Sequence, residues 1–214
     1  MLPSFRIARV ARPSHVLVAV LLAVLVTACS GSPAASFDPN APCGVDGRVA
    51  GAYPDLEARL PTSFEGAGPA MVDSGRHCSE AALGSLIAHK VSNVQFAGAV
   101  WDLGGGAGIS SAIFRLPGAD LPADWISEFY DIGARTAKRT ENIEASSPII
   151  PGPGQIFRLD TLNDLSFQTV LVWQDGSVVR VVLIGTPVSP SATRAAHDDL
   201  VDRAAAATVV AGSG

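Results

Sequence analysis

The chain is 214 residues long and carries 15 Lys and Arg against 20 Asp and Glu, a formal charge of −5, with 48% apolar residues. Its basic residues never form a run of three. Such a chain lacks the clustered cationic surface that phosphate recognition needs, so no nucleic acid is expected as a partner.

Residues 1–28 have the layout of a signal peptide: Arg6, Arg9 and Arg12, then an apolar run of 11 residues over 16–26. That run is well short of the roughly 20 residues a spanning helix needs. The segment closes on Val26-Thr27-Ala28-Cys29. It resembles the bacterial lipobox, in which cleavage precedes the cysteine and its sulfur carries diacylglycerol, often with a further acyl chain such as palmitate. The resemblance implies lipidation of Cys29 and a cell-envelope lipoprotein anchored at the extracytoplasmic membrane face. An ordinary secretory signal, or an uncleaved anchor shortened by Pro13 and His15, is the alternative. Loss of 1–28 removes three arginines and no acid, leaving 12 basic and 20 acidic side chains, a charge near −8.

Residues 30–42 (SGSPAASFDPNAP) are small, polar and interrupted by proline, which predicts a flexible tether over 29–42 reaching at most about 45 Å. With Cys29 lipidated, Cys43 and Cys78 remain as an even pair in an oxidising compartment. A disulfide between them would stabilise the fold by roughly 4 kcal/mol in the chain-entropy model. Redox activity is the alternative, but no C-x-x-C pair is present.

A globular domain is expected over 43–210, with a tail at 211–214. Ser79 is placed to cap a helix over 80–89, with Leu83, Leu86 and Ile87 on its buried face. Strands follow over 94–104 and 109–116, joined by a loose hairpin tip at 104–108 (Gly-Gly-Gly-Ala-Gly). Pro122 opens an amphipathic helix over 123–139 with Trp125, Phe129, Ile132 and Thr136 along one side. A strand is expected over 141–149, and extended segments over 155–160 and 166–173. Asp175-Gly176 then turns the chain into a strand over 178–184. Apolar residues on both faces of the last two runs predict central, paired, antiparallel strands. Ser189 or Ser191 would cap a closing helix over 192–210, with Leu200, Val201 and Ala204 inward. The element order predicts an α+β domain, an antiparallel sheet packed by about three helices. Over residues 44–210 that order resembles the small α/β/α sandwiches of the PsbP and Mog1 type, a resemblance of fold.

Catalytic constellations are sparse. No G-x-S-x-G elbow occurs, and Ser74 and Ser110-Ser111 lack its glycine frame. His77 beside Cys78 invites a zinc reading, but a disulfided Cys78 cannot ligate, so His77 reads as a solvated loop residue. His89 ends a helix, where a cation suits the dipole. His197 is placed on the exposed side of the last helix. Residues 104–108 lack the Lys-Ser/Thr of a phosphate loop. Asp160-Thr161-Leu162-Asn163-Asp164 reads as a turn rather than a calcium loop, because Leu171 stands where the twelfth-position Glu would be. Trp101, Trp125 and Trp173 fill the core or line an apolar pocket. No cofactor is implied. The expected function is a non-catalytic envelope domain that binds an envelope protein or a small apolar ligand. The alternatives are an enzyme built on a carboxylate pair and a carrier of lipids or other hydrophobic molecules. A carrier would show a cavity of several hundred Å³ between sheet and helices.

Overall fold

Long runs of β-branched residues, punctuated by Gly and Asp-Gly, dominate the second half of the chain and organise everything before them. The computed structural model describes residues 37–189 and 193–211. The signal segment, Cys29, residues 30–36 of the tether, Ser191 and residues 212–214 lie outside them. In chain order the elements are β1 (Gly47–Val49), α1 (Pro54–Glu57), β2 (Met71–His77), α2 (Glu80–Leu83), a 3-10 turn (Gly84–His89), β3 (Val94–Gly104) and β4 (Ala107–Arg115). They continue with α3 (Ala123–Thr136), β5 (Thr140–Ser146), β6 (Ile149–Ile150), β7 (Gly154–Gln155), β8 (Phe157–Asn163), β9 (Ser166–Asp175), β10 (Val178–Pro187) and α4 (Arg194–Ala211).

The domain is α+β. Eight strands make one antiparallel sheet in the order β1-β2-β3-β4-β10-β9-β8-β5, and β6 and β7 form a separate ribbon. β10 lies at the centre between β4 and β9 and holds ten residues in register with β9. Its alternate side chains enter two cores. Val178, Val182 and Ile184 pack with Trp101, Ile113, Trp173, Leu200 and Val201 under α1 and α4. Val179 and Val181 pack with Leu83, Leu86, Val94 and Ile126 under α2, the 3-10 turn and α3. Both faces of the central strands therefore carry packed apolar side chains, which is why their sequences read as nearly continuous apolar runs.

Several expectations shift. The helix over 80–89 starts on Ser79, whose hydroxyl accepts from Ala82 N, but breaks at Gly84 (φ 52°) and continues as the 3-10 turn. A Cβ at Gly84 would stand 2.9 Å from the Phe129 ring, so the ring's seat requires glycine. The tighter winding moves Ile87 out of the buried face, to 41% exposed. On α3 the buried residues are Ile126 and Ser127, and Ile132 turns to solvent. Thr193 caps α4, its hydroxyl accepting from Ala196 N at 3.2 Å.

β1, α1 and β2 have no counterpart in the expected elements. β2 reads Met-Val-Asp-Ser-Gly-Arg-His, a polar string that only tertiary partners can satisfy. The Ser74 hydroxyl, fully buried, accepts from Tyr53 N and donates to Glu57, each at 2.7 Å. Buried Arg76 donates to the carbonyls of Pro39, Ala41 and Pro42. Cys43 and Cys78 are joined in a disulfide with a Cα–Cα separation of 5.6 Å. It fastens the entering chain to the end of β2, where Asp46 also accepts from the backbone N–H groups of Cys78 and Ser79.

Candidate functional site

An eight-stranded sheet is wider than the 14-residue α3 and the short α2 and 3-10 turn that cover its second face, so part of that face stays open. Three adjoining hollows run across it. The first, about 430 Å³, lies over β2–β4, on Met71, Phe96, Gly98, Val100, Ala112 and Phe114, with Asp73 and His77 among its lining residues. The second, about 290 Å³, shares Val100 and Ser110 with the first and extends over Gly108, Gly185, Leu183 and Val170. The third, about 420 Å³, shares Leu183, Val170 and Gln168 with the second and runs beneath Phe129, Tyr130 and Gly133 of α3 to Leu159 and Thr161 of β8. The floor thus forms one trough spanning β2 to β8, five interstrand spacings or roughly 24 Å.

The trough exists because side chains are missing from its floor. Gly98 on β3 and Gly185 on β10 both lie in regular strand with no positive φ. A Cβ at Gly98 would meet nothing nearer than 3.8 Å, and one at Gly185 nothing within 4 Å. Neither backbone conformation nor steric clearance demands glycine at these positions. Glycine in a strand interior costs about 0.5–1 kcal/mol relative to alanine, so the fold carries these two at a loss. What they supply is open space above the sheet.

The trough is apolar in the middle and polar at its ends. At the β2 end Asp73 pairs with Arg48 at 3.3 Å, and the His77 ring stacks on Phe96 at 4.6 Å between centroids. His77 therefore closes a strand, half-buried, rather than standing in a solvated loop. Burial pushes its imidazole below the ordinary value, against the raising influence of Asp46, and its Nδ1 has no hydrogen-bond partner among the described residues. Ser85 Oγ, on a residue lining the other end, is likewise buried without a partner among the described residues.

The remaining sequence candidates fall elsewhere. His197 is 1% exposed, a correction to its expected surface position. It stands three residues before Leu200 and four before Val201, on the face of α4 that packs on the sheet, and this spacing was the signal that could have located it. Its Nε2 and Nδ1 each lie 2.8 Å from a threonine hydroxyl, Thr169 and Thr186. Thr169 donates to Asp160 Oδ1 at 2.5 Å, so it accepts from Nε2–H, and Nδ1 accepts from Thr186. Burial, reinforced by Arg194, holds the imidazole below its ordinary value, and the ring is the neutral Nε2–H tautomer.

Asp160 does not lie in a turn. Residues 160–163 belong to β8, and only Asn163 does turn work, its side-chain oxygen accepting from the N–H groups of Leu165 and Ser166. Arg158 joins Asp160 and Asp198, at 2.7 Å to each, and Arg194 reaches both. Burial raises the Asp160 carboxyl, but the hydrogen bonds from Arg158 and Thr169 outweigh it and hold the group below the usual carboxylate range. Every oxygen of this carboxylate pair meets at least one donor, so the pair interlocks β8, β9 and α4 and is committed to structural arginines.

His89 ends the 3-10 turn, pairs with Glu128 at 2.7 Å and stacks on Trp125 at 4.4 Å. Residues 104–107 make the β3–β4 hairpin tip, with Gly104, Gly105 and Gly106 all at positive φ. Trp101 and Trp173 are core, and Trp125 is half-buried beneath His89. Among the described residues no group of three or more His, Cys, Asp and Glu side chains converges as a metal site, and no helix is long and apolar enough to cross a membrane. No protein-family model, no curated protein and no solved structure matches the chain.

Proposed function

We propose that this chain is a cell-envelope lipoprotein, held at the extracytoplasmic membrane face by acyl groups on Cys29, whose domain binds an elongated apolar small molecule in the sheet trough. The observation that carries the reading is the glycine floor. Gly98 and Gly185 weaken a sheet that has no conformational use for them, and the benefit is a continuous apolar channel. A single-chain amphiphile suits its form: roughly 24 Å long, apolar in the middle, with polar groups at either end. A diacylated Cys29 on a short tether would keep that trough within reach of membrane lipid. The carboxylate pair at Asp160 and Asp198 gives the enzyme alternative little support, because both groups are committed to Arg158 and Arg194.

Two measurements test the two halves separately. A fluorescent long-chain fatty-acid analogue titrated into the domain lacking residues 1–29 should bind saturably at one per chain and be displaced by unlabelled fatty acid. Absence of saturable binding sinks the ligand reading. Intact-mass analysis and membrane fractionation of the full chain should show acyl mass that disappears in Cys29→Ala. An unacylated wild-type chain sinks the anchor reading and leaves the ligand reading standing.

A further inference from the structure

A guanidinium buried on the apolar face of a sheet is costly unless its donors are met. Arg180 sits on β10 opposite Trp173 of β9 and Ile113 of β4, on the face covered by α4, and is 1% exposed. Its Nε donates to Asp175 Oδ2 at 2.6 Å and its Nη1 to the Arg59 carbonyl at 3.0 Å. Its Nη2 has no hydrogen-bond partner among the described residues. Asp175 is also shared with Arg59, at 2.9 Å, so these three groups carry one net positive charge.

A hollow of about 270 Å³ opens at this point, on the other face of the sheet from the trough. Arg180 and its partner Asp175 supply its charged groups, Trp173 and Val209 supply apolar wall, and Gly152 and Pro153 of the β6–β7 turn supply its far side. We propose that this hollow binds a small organic carboxylate, with one carboxylate oxygen accepting from Arg180 Nη2 and the apolar body resting on Trp173, Pro153 and Val209. A charged acceptor makes the strongest hydrogen bond available to an unmet guanidinium donor. One net charge matches a monoanion, whereas a dianion would bring excess charge into a poorly solvated site. The proposal stands independently of the trough and its ligand.

Benzoate is the probe, with benzyl alcohol and inorganic phosphate as comparisons, titrated into the folded domain and followed by tryptophan fluorescence and by NMR of the arginine side-chain N–H groups. Benzoate should saturate at one site, with both comparisons weaker by roughly tenfold or more, the worth of one charged hydrogen bond or of the apolar wall. Val209→Phe, which fills the hollow and leaves Arg180 and its pairs intact, should abolish binding, and Arg180→Gln should weaken it by roughly tenfold. Should Arg180→Gln fail to fold, Val209→Phe decides alone. The proposal is overturned if benzoate leaves the Arg180 signals unmoved, if phosphate binds as well as benzoate, or if Val209→Phe binds unchanged.

Discussion

Gly185 is the position where stability and binding should move in opposite directions. It lies in the central strand, half-buried, paired with Gly108 on one side and Gln168 on the other, and its missing Cβ would occupy empty space. Alanine there removes the entropic penalty of a strand glycine, about 0.5–1 kcal/mol. Half-burying one methyl adds roughly 0.4 kcal/mol, half of the ~0.8 kcal/mol for full burial. Together the gain is about 1 kcal/mol, or a rise of roughly 2–4 °C in Tm for a domain of this size. Thermal unfolding followed by circular dichroism reads this directly. Gly185→Val, whose branched side chain favours strand and projects into the trough, should be at least as stable as wild type and weaken the fatty-acid analogue by about tenfold or more. A destabilised alanine variant would mean that the fold itself needs glycine here. A valine variant that binds normally would show that the ligand does not pass over Gly185. Either result refutes the argument.

Other consequences are accessible to routine measurement. Replacing Cys43 and Cys78 by serine should cost about 2–5 kcal/mol, read from denaturant midpoints, and reduction of the wild type should reproduce it. Ser74→Ala leaves the Tyr53 N–H buried without its acceptor and should cost about 1–3 kcal/mol, whereas a surface-like effect near zero would show that the β2 network is dispensable. His197 is a base held neutral in the folded state, so the unfolded chain binds the extra proton. Stability should therefore fall as pH drops below about 6.5 and level off once the folded group itself titrates. His77 shifts in the same direction and contributes to the same window. His197→Gln should flatten, without abolishing, the slope of unfolding free energy between pH 7 and 5, and an unchanged slope would exclude His197 as a source. Asp160 works at the other end: its lowered carboxyl contributes stability above the usual Asp range that is lost as pH falls through its folded value, so Asp160→Asn should reduce the acid sensitivity below about pH 4.

The sequence by itself determined the class of the fold and its central strands. Period-two runs with apolar residues on both sides can only be satisfied by a sheet covered on both faces, and Asp175-Gly176 sets the turn between β9 and β10. Ser79 as a cap and the glycine hairpin tip were local signals of the same kind. Tertiary structure alone decided the rest. β2 is a strand because Tyr53, Glu57 and the entering chain satisfy Ser74 and Arg76, partners 17 to 37 residues away that no local pattern reveals. His197 and Asp160 read as polar surface because polarity is a property of one residue, whereas their burial depends on threonines and arginines from four different elements. Gly98, Gly108 and Gly185 are unremarkable singly, 10 to 87 residues apart, and join one binding floor only when the pairing of β3, β4 and β10 sets Gly185 against Gly108 and places Gly98 beside Ala112, four positions along β4. Secondary structure follows from interactions a few residues long, but a site is made by register between strands distant in sequence, and register is set by the whole sheet.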